Sequence, residues 1–322
     1  MDEAVKLRSP GGVDRLEIIN WPAQEPGPNE IRIRHQAIGV NFLDIYHRTG
    51  LYPLPPPAIP GVEGAGVVEA LGAEVEGLTI GQRVAYAGLT GAYATTRLLP
   101  AWRAIALPDA IPFRLAAAST LRGLTAHMLL TRTYPVARGS VLLIHAAAGG
   151  LGVILTRWAK HLGATVIGTV GSPEKAEVAR ANQADHVIVG RDIDVVAEVA
   201  ALTGGRGVDF AIDGIGGGML ARTLACVRRF GTVASIGQAA GAIPPVPVED
   251  IGPMRSLSFA RPSVMAYSAD KDIYPSAAAA VLRMIEAGIS TEIGRDYPLE
   301  AAAEAHADLE AGRIIGSAIL LP

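Results

Sequence analysis

The residues best suited to binding chemistry lie in the run Ala146-Ala147-Ala148-Gly149-Gly150-Leu151-Gly152. Val141-Leu142-Leu143-Ile144 precedes it as a short apolar run, the pattern of a strand covered on both faces. Val153, Ile154, Trp158 and Leu162 follow at helical spacing, with Gly163 as a stop signal. A buried strand therefore turns into a helix across a glycine-rich turn. In such a turn Gly149 would let the backbone approach a pyrophosphate, and Gly152 would let helix and strand pack closely. The helix N-terminus, opening through Gly150 and Leu151, would offer N–H donors to the anion. Ala147 stands where the usual fingerprint has its first glycine. Glycine-rich turns also occur without ligands, so the flanking pattern carries the weight.

That pattern also bears on the cofactor. An NAD site would place an Asp or Glu at the end of the second strand, roughly 20 residues beyond the fingerprint. Gly168-Thr169-Val170-Gly171-Ser172 holds no acid, and Lys175 follows. A cation beside a 2′-phosphate would favour NADPH, and an ordinary exposed lysine in the first turns of a helix is the alternative.

The elements that must position these residues divide the chain in two. Arg15 to Ile19, Glu30 to Val40, Gly64 to Ala70, Arg83 to Ala87 and Ala92 to Leu98 read as short strands between glycines, suggesting a partly open barrel. The Pro-rich stretch within NFLDIYHRTGLYPLPPPAIPG reads as an ordered loop, because each proline lacks an N–H and restricts its predecessor. Phe113 to Leu130 is helical in pattern, with a break expected at Gly123. From Val141, strands and helices alternate. Strands are expected at Thr165–Val170, His186–Val189, Val208–Ile212 and Thr232–Ile236. Helices are expected at Pro173–Asn182, Asp194–Leu202 and Met219–Arg228. This alternation predicts an α/β fold with an open, doubly wound parallel sheet. Helices near Ser276–Ala287 and Ala301–Glu310 lead to a closing strand, Ser317–Leu321.

Composition narrows the function. The chain has 322 residues, enough for two domains, and a net charge of −3, which does not predict a nucleic-acid surface. Half of it is hydrophobic. The long uncharged stretches, such as Gly231 to Val248, are interrupted by Gly, Gln and Pro, so a large buried sheet and no membrane span is the expectation. The opening MDEAVKLRSPGG has early acids and no apolar core, unlike a secretory signal. A single cysteine, Cys226, rules out an internal disulfide and fits a reducing, cytoplasmic compartment.

Together the motifs VNFLDIYHRTGLYP, PGVEGAG, GAYA, RGLTAHMLL, HAAAGGLG, GTVGSPEKA, RPS and EAGRIIGSAILLP resemble the zinc-free medium-chain dehydrogenase/reductases, specifically the quinone oxidoreductase family related to zeta-crystallin. The resemblance implies a GroES-like catalytic domain over residues 1–122, an NADPH-binding Rossmann domain over 123–262, and a return to the catalytic domain over 263–322. Zinc relatives carry Cys or His at the position of Asn41 and His at that of Val62. Catalytic zinc needs three protein ligands, the seven histidines lack ligand spacing, and no metal is expected. Glu63, near the metal in those relatives, is expected to be structural.

Without a Lewis acid the acceptor must itself be electrophilic, as a quinone or a conjugated enone is. The resemblance places Tyr46, Tyr52 and Arg261 at the substrate, the tyrosines as hydrogen-bond donors and Arg261 as a stabiliser of anionic charge. A loop tyrosine packed on prolines and a surface ion pair are the plain alternatives for Tyr52 and Arg261. It places Asn41, Thr125, Gly237 and Gln238 near the nicotinamide end, and Arg313 near the phosphates. Where the family often has Asn-Tyr after the third strand, this chain has Val189-Gly190, with Arg191 following as a compensating cation. The activity implied is NADPH-dependent quinone reduction; a 2-alkenal or enone reductase and a crystallin-like NADPH- or RNA-binding protein are the alternatives. A homodimer through the Rossmann sheet edge, around Leu257 to Phe259, is expected because an apolar edge strand needs cover.

Overall fold

The computed structural model describes residues 2–322, which form two compact units. One comprises residues up to Leu124 together with Val264–Pro322, and the other Thr125–Ser263.

In the first unit a seven-stranded sheet runs in the order Ile293–Pro298, Ser317–Leu321, Glu30–Val40, Glu63–Leu71, Arg83–Ala87, Ile105–Ala106, with Thr96–Pro100 also pairing to Glu30–Val40. Glu3–Leu7 and Leu16–Asn20 form a separate ribbon. Alternation builds the long central strand. Ile31 and Ile33 are fully buried with Ile38, Val84 and Leu99, while Arg32 and Arg34 on the other face pair with Glu69 and Asp2.

The second unit carries a six-stranded parallel sheet in the order His186–Val189, Thr165–Val170, Val141–His145, Val208–Asp213, Val227–Ser235, Ser258–Ala260. This is the doubly wound order with a switch point beside the first strand. Its strands are apolar runs because both faces are covered: Leu142, Leu143 and Ile144 are wholly buried. Helices Gly150–His161, Pro173–Ala181, Val195–Leu202 and Met219–Cys226 connect them. The first ends at Gly163, whose φ of +84° permits the left-handed stop that its sequence position suggested.

Several expectations need correction. The helix from Phe113 runs unbroken through Gly123 to His127, followed by a π-helical segment Met128–Thr133. Gly123 is there for packing, since a Cβ on it would lie 2.5 Å from Val281 Cγ1. The helix Met219–Cys226 ends two residues early, because the next strand begins at Val227 rather than at Thr232. The strand expected from Ala92 starts at Thr96, and a helix, Phe42–Thr49, opens the stretch that leads into the proline loop. Among the described residues, no helix is long and apolar enough to cross a membrane.

Candidate active site

The second unit gathers its candidate residues by topology alone. Parallel strands all end on one side of their sheet, and each stretch singled out in this unit, Thr125 apart, begins where a strand stops. Ala146–Gly152 follows Val141–His145, and Gly171, Ser172 and Lys175 follow Thr165–Val170. Arg191 lies just past His186–Val189, Gly237 and Gln238 just past Val227–Ser235, and Arg261 directly after Ser258–Ala260. Ligands of open α/β sheets bind at this edge.

The turn is tightly built. Ala146 sits in the left-handed region at φ +53°, a conformation that costs an alanine roughly 1–2 kcal/mol. The Ala147 N–H donates to the Thr169 carbonyl at 3.1 Å, tying the turn to the neighbouring strand. A Cβ on Gly152 would press on the Ala146 carbonyl oxygen and lie 2.7 Å from Ala147 Cα, so helix and turn meet only because that side chain is absent. Gly168 plays the same part across the sheet, where a Cβ would come within 2.7 Å of the Ala147 methyl. Helix Gly150–His161 starts at Gly149 with no side-chain cap, whereas the next two are capped by Ser172 and Asp194. Its first N–H groups have no acceptor within the helix, which is the arrangement that receives an anion.

Cations stand at the neighbouring strand end. Arg191 Nε lies 3.3 Å from where a Cβ on Gly171 would sit. Lys175 is in the first turn of the helix capped by Ser172. Glu174 is exposed and hydrogen-bonded to Ser172, which lowers its pKa. The two cations favour a phosphorylated ribose over a bare 2′-hydroxyl, and the Glu174 carboxylate opposes them.

Beneath this edge runs a buried polar chain that the sequence reading missed. His145 Nε2 lies 2.9 Å from Thr223 Oγ1, and Nδ1 lies 2.9 Å from Thr169 Oγ1. The Thr223 hydroxyl spends its one hydrogen on Asp213 or on the Met219 carbonyl, so His145 donates from Nε2 and accepts at Nδ1. Burial holds the imidazole below its ordinary pKa, in keeping with this neutral tautomer. Asp213 also accepts from the Ile215 and Gly216 N–H groups at 2.8 and 3.0 Å, and Gly216 packs against Gly237 and Gln238. A histidine closing an otherwise apolar strand was the available signal. Arg261 is exposed, and its Nη1 donates to Ser235 Oγ at 2.8 Å. Thr125 is half-buried in its helix.

In the first unit, Tyr46 is buried on helix Phe42–Thr49, and Tyr52 lies in the loop beyond it. Their rings meet edge to face at 5.3 Å, and the Tyr52 N–H donates to the Tyr46 carbonyl. Asn41 caps the helix in a reciprocal box with Asp44 and donates through Nδ2 to Glu63 Oε1 at 2.8 Å. Glu63 also accepts from the Leu121 N–H and from Arg122, all of it buried. Burial raises the Glu63 pKa against the opposing pull of Arg122. Val62 is fully buried and offers no donor atom. The positions where zinc relatives hold their ligands therefore do not form a ligand set, and among the described residues no three acidic, Cys or His side chains cluster to hold a metal. Arg313 is engaged elsewhere, donating through Nε to Asp308 at 2.7 Å.

Residues 27–109 match the alcohol dehydrogenase GroES-like domain and residues 150–283 the zinc-binding dehydrogenase family. The chain is 41% identical to a quinone oxidoreductase of Pseudomonas aeruginosa over the full length of both. It is 40% identical to a 2-haloacrylate reductase of Burkholderia sp, covering 99% of this chain and 98% of that one. The solved structure of Escherichia coli quinone oxidoreductase complexed with NADPH superposes with a TM-score of 0.95 at 37% identity, covering 99% of this chain and all of that one.

Proposed function

The chain belongs to the quinone oxidoreductase family of the medium-chain dehydrogenase/reductases, and from that membership we propose that it is an NADPH-dependent quinone reductase. The observation that carries the reading is the common placement, past the strand ends of one parallel sheet, of an uncapped glycine turn and two cations. The pyrophosphate is received by the N–H groups opening helix Gly150–His161, with Gly149, Gly150, Leu151 and Gly152 giving access and Ala147 shaping the turn. Ser172, Lys175 and Arg191 take the 2′-phosphate, while Thr125, Gly237 and Gln238 serve the nicotinamide end. When bound, the cofactor supplies a hydride.

The residues need do little acid–base chemistry for a quinone, because the product phenolate takes its proton from water. Tyr46 and Tyr52 donate hydrogen bonds to the acceptor's oxygen, and Arg261, steered by Ser235, stabilises developing negative charge. Asn41 acts through position, since its side chain is held by Glu63; Arg313, paired with Asp308, reaches a phosphate only by exchanging that partner.

A second reading, reduction of an activated carbon–carbon double bond, is favoured by the 40% identity to a 2-haloacrylate reductase. Anaerobic oxidation of NADPH and NADH, followed at the nicotinamide absorbance with 1,4-benzoquinone, an ortho-quinone, 2-alkenals and 2-chloroacrylate, separates the two. Faster turnover with NADPH and a quinone supports the first reading, and turnover confined to the alkenes supports the second. Silence with every acceptor despite tight NADPH binding would favour a binding protein.

The same reading includes a cytoplasmic homodimer paired along Ser258–Ala260. That strand lies at the sheet edge with Phe259 exposed. A monomeric mass in sedimentation would count against it.

A further inference from the structure

On the opposite side of the parallel sheet, at the amino-terminal ends of Val208–Asp213 and Val227–Ser235, lies a cavity of about 600 Å³. Val196, Val199 and Ala200 give it apolar lining. Four arginines line it, Arg206, Arg228, Arg229 and Arg255, and no acidic residue does. The buried Asp209 carboxylate receives both Arg206 and Arg228. Arg255 donates to the Leu224 and Val227 carbonyls, which are neutral. Arg206 and Arg228 thus share one carboxylate, and Arg229 and Arg255 add two further arginines to the lining, in a chain whose net charge is −3.

The backbone is shaped to present them. Between the sheet pairs Val208–Val227 and Phe210–Thr232 the register shifts, so that Arg228, Arg229, Phe230 and Gly231 bulge out of the strand. Bulges re-aim side chains. Phe230, at the crest, has a φ of +58°, a costly conformation for a bulky residue. Gly231 beneath it admits no Cβ, which would come within 2.9 Å of the Asp209 carbonyl oxygen. Guanidinium forks match phosphate and carboxylate oxygens, and the cavity volume falls within the range of small-molecule sites.

We propose that this cavity is a second ligand site, separate from the strand-end edge that serves the dinucleotide, and that it takes a small organic anion. The phosphate or carboxylate head lies among the four arginines and an aromatic or aliphatic body rests on Val196, Val199 and Ala200.

Isothermal titration of the full chain with 1-naphthyl phosphate, 1-naphthoate and 1-naphthol tests it, since the three share a body and differ in charge. Both anions are expected to bind, with the neutral alcohol at least about tenfold weaker. R206Q/R229Q should weaken the anions by about tenfold or more, while Lys175→Ala, at the other edge, leaves them unchanged. R229Q alone alters only an exposed side chain and carries the test if the double variant fails to fold. The proposal fails if the alcohol binds as well as the anions, if the arginine variants bind like the parent, if Lys175→Ala alone abolishes binding, or if no anion binds at millimolar concentration.

Discussion

Two helices begin in the stretches that the sequence singled out, and they begin in opposite ways. Helix Phe42–Thr49 is closed: Asn41 and Asp44 cap each other, Asn41 is held by Glu63, and Glu63 by Arg122 and the Leu121 N–H. The closure extends further. Arg48 Nε can only donate, so His306 accepts at Nδ1 and carries its hydrogen on Nε2, which donates to the Tyr93 oxygen, leaving the Tyr93 hydroxyl to donate to Asp44. Helix Gly150–His161 is open, starting at a glycine with no side-chain cap. A helix start beside a candidate site therefore says little alone. Whether its donors are already answered from within the protein separates scaffold from binding surface.

The largest test of this contrast removes the centre of the closed end. Glu63→Ala leaves the buried Arg122 charge without its carboxylate, and a loss of about 3–5 kcal/mol is expected in urea denaturation. A variant as stable as the parent would show that the cluster is not what holds this helix. At the open end, Lys175→Ala should weaken NADPH by about 10–100-fold, the worth of one charge-assisted hydrogen bond, and leave NADH unchanged in fluorescence titration. Equal losses for both cofactors would take Lys175 away from the 2′-phosphate.

A sharper variant converts one end into the other. Gly149→Ser supplies a capping hydroxyl, and its Cβ meets only the Ala146 carbonyl oxygen at 3.3 Å. Thermal stability should rise by a few tenths of a kcal/mol, while NADPH affinity falls because the hydroxyl competes for the same N–H groups. Unchanged affinity would mean that those donors do not meet the cofactor.

One further effect is a slope. Burial, aided by Arg48, holds His306 at a pKa of about 3 against an ordinary 6.5. Between those values the unfolded chain carries one more proton, so this histidine's contribution is present above pH 6.5 and is lost as pH falls, by about 1.4 kcal/mol per unit. Asp44 works in the other direction: burial pushes it up to about 7, so its contribution declines as pH rises from 3.8 to 7. In His306→Gln, stability measured in urea from pH 4.5 to 6 should vary with pH by one proton less than in the parent. An identical slope would mean that His306 is protonated in the fold.

The parallel sheet was legible because its strands are continuous apolar runs. Thr165–Val170 and His186–Val189 were read to the residue. Val227–Ser235 was read short because its bulge carries Arg228 and Arg229 through what should be strand. Ile293–Pro298 went unseen, since Gly294, Asp296 and Pro298 hide a strand that is specified by its neighbour Ser317–Leu321. Phe42–Thr49 was obscured by the proline loop after it, although Asn41 and Asp44 stand at capping-box spacing. Within the candidate site, the glycine turn could be read locally. The His145–Thr223–Asp213 chain could not, because hydrogen bonds across 78 and 10 positions leave no local pattern.

The interlocked Asn41, Glu63 and Arg122 also constrain what mutation can do to this lineage. A cysteine at position 41 would remove the amide donor from Glu63, a histidine there would replace it with a bulkier ring, and a histidine at position 62 would put a polar ring where Val62 is sealed in the core. Each such substitution would lower stability before any ligand set was complete.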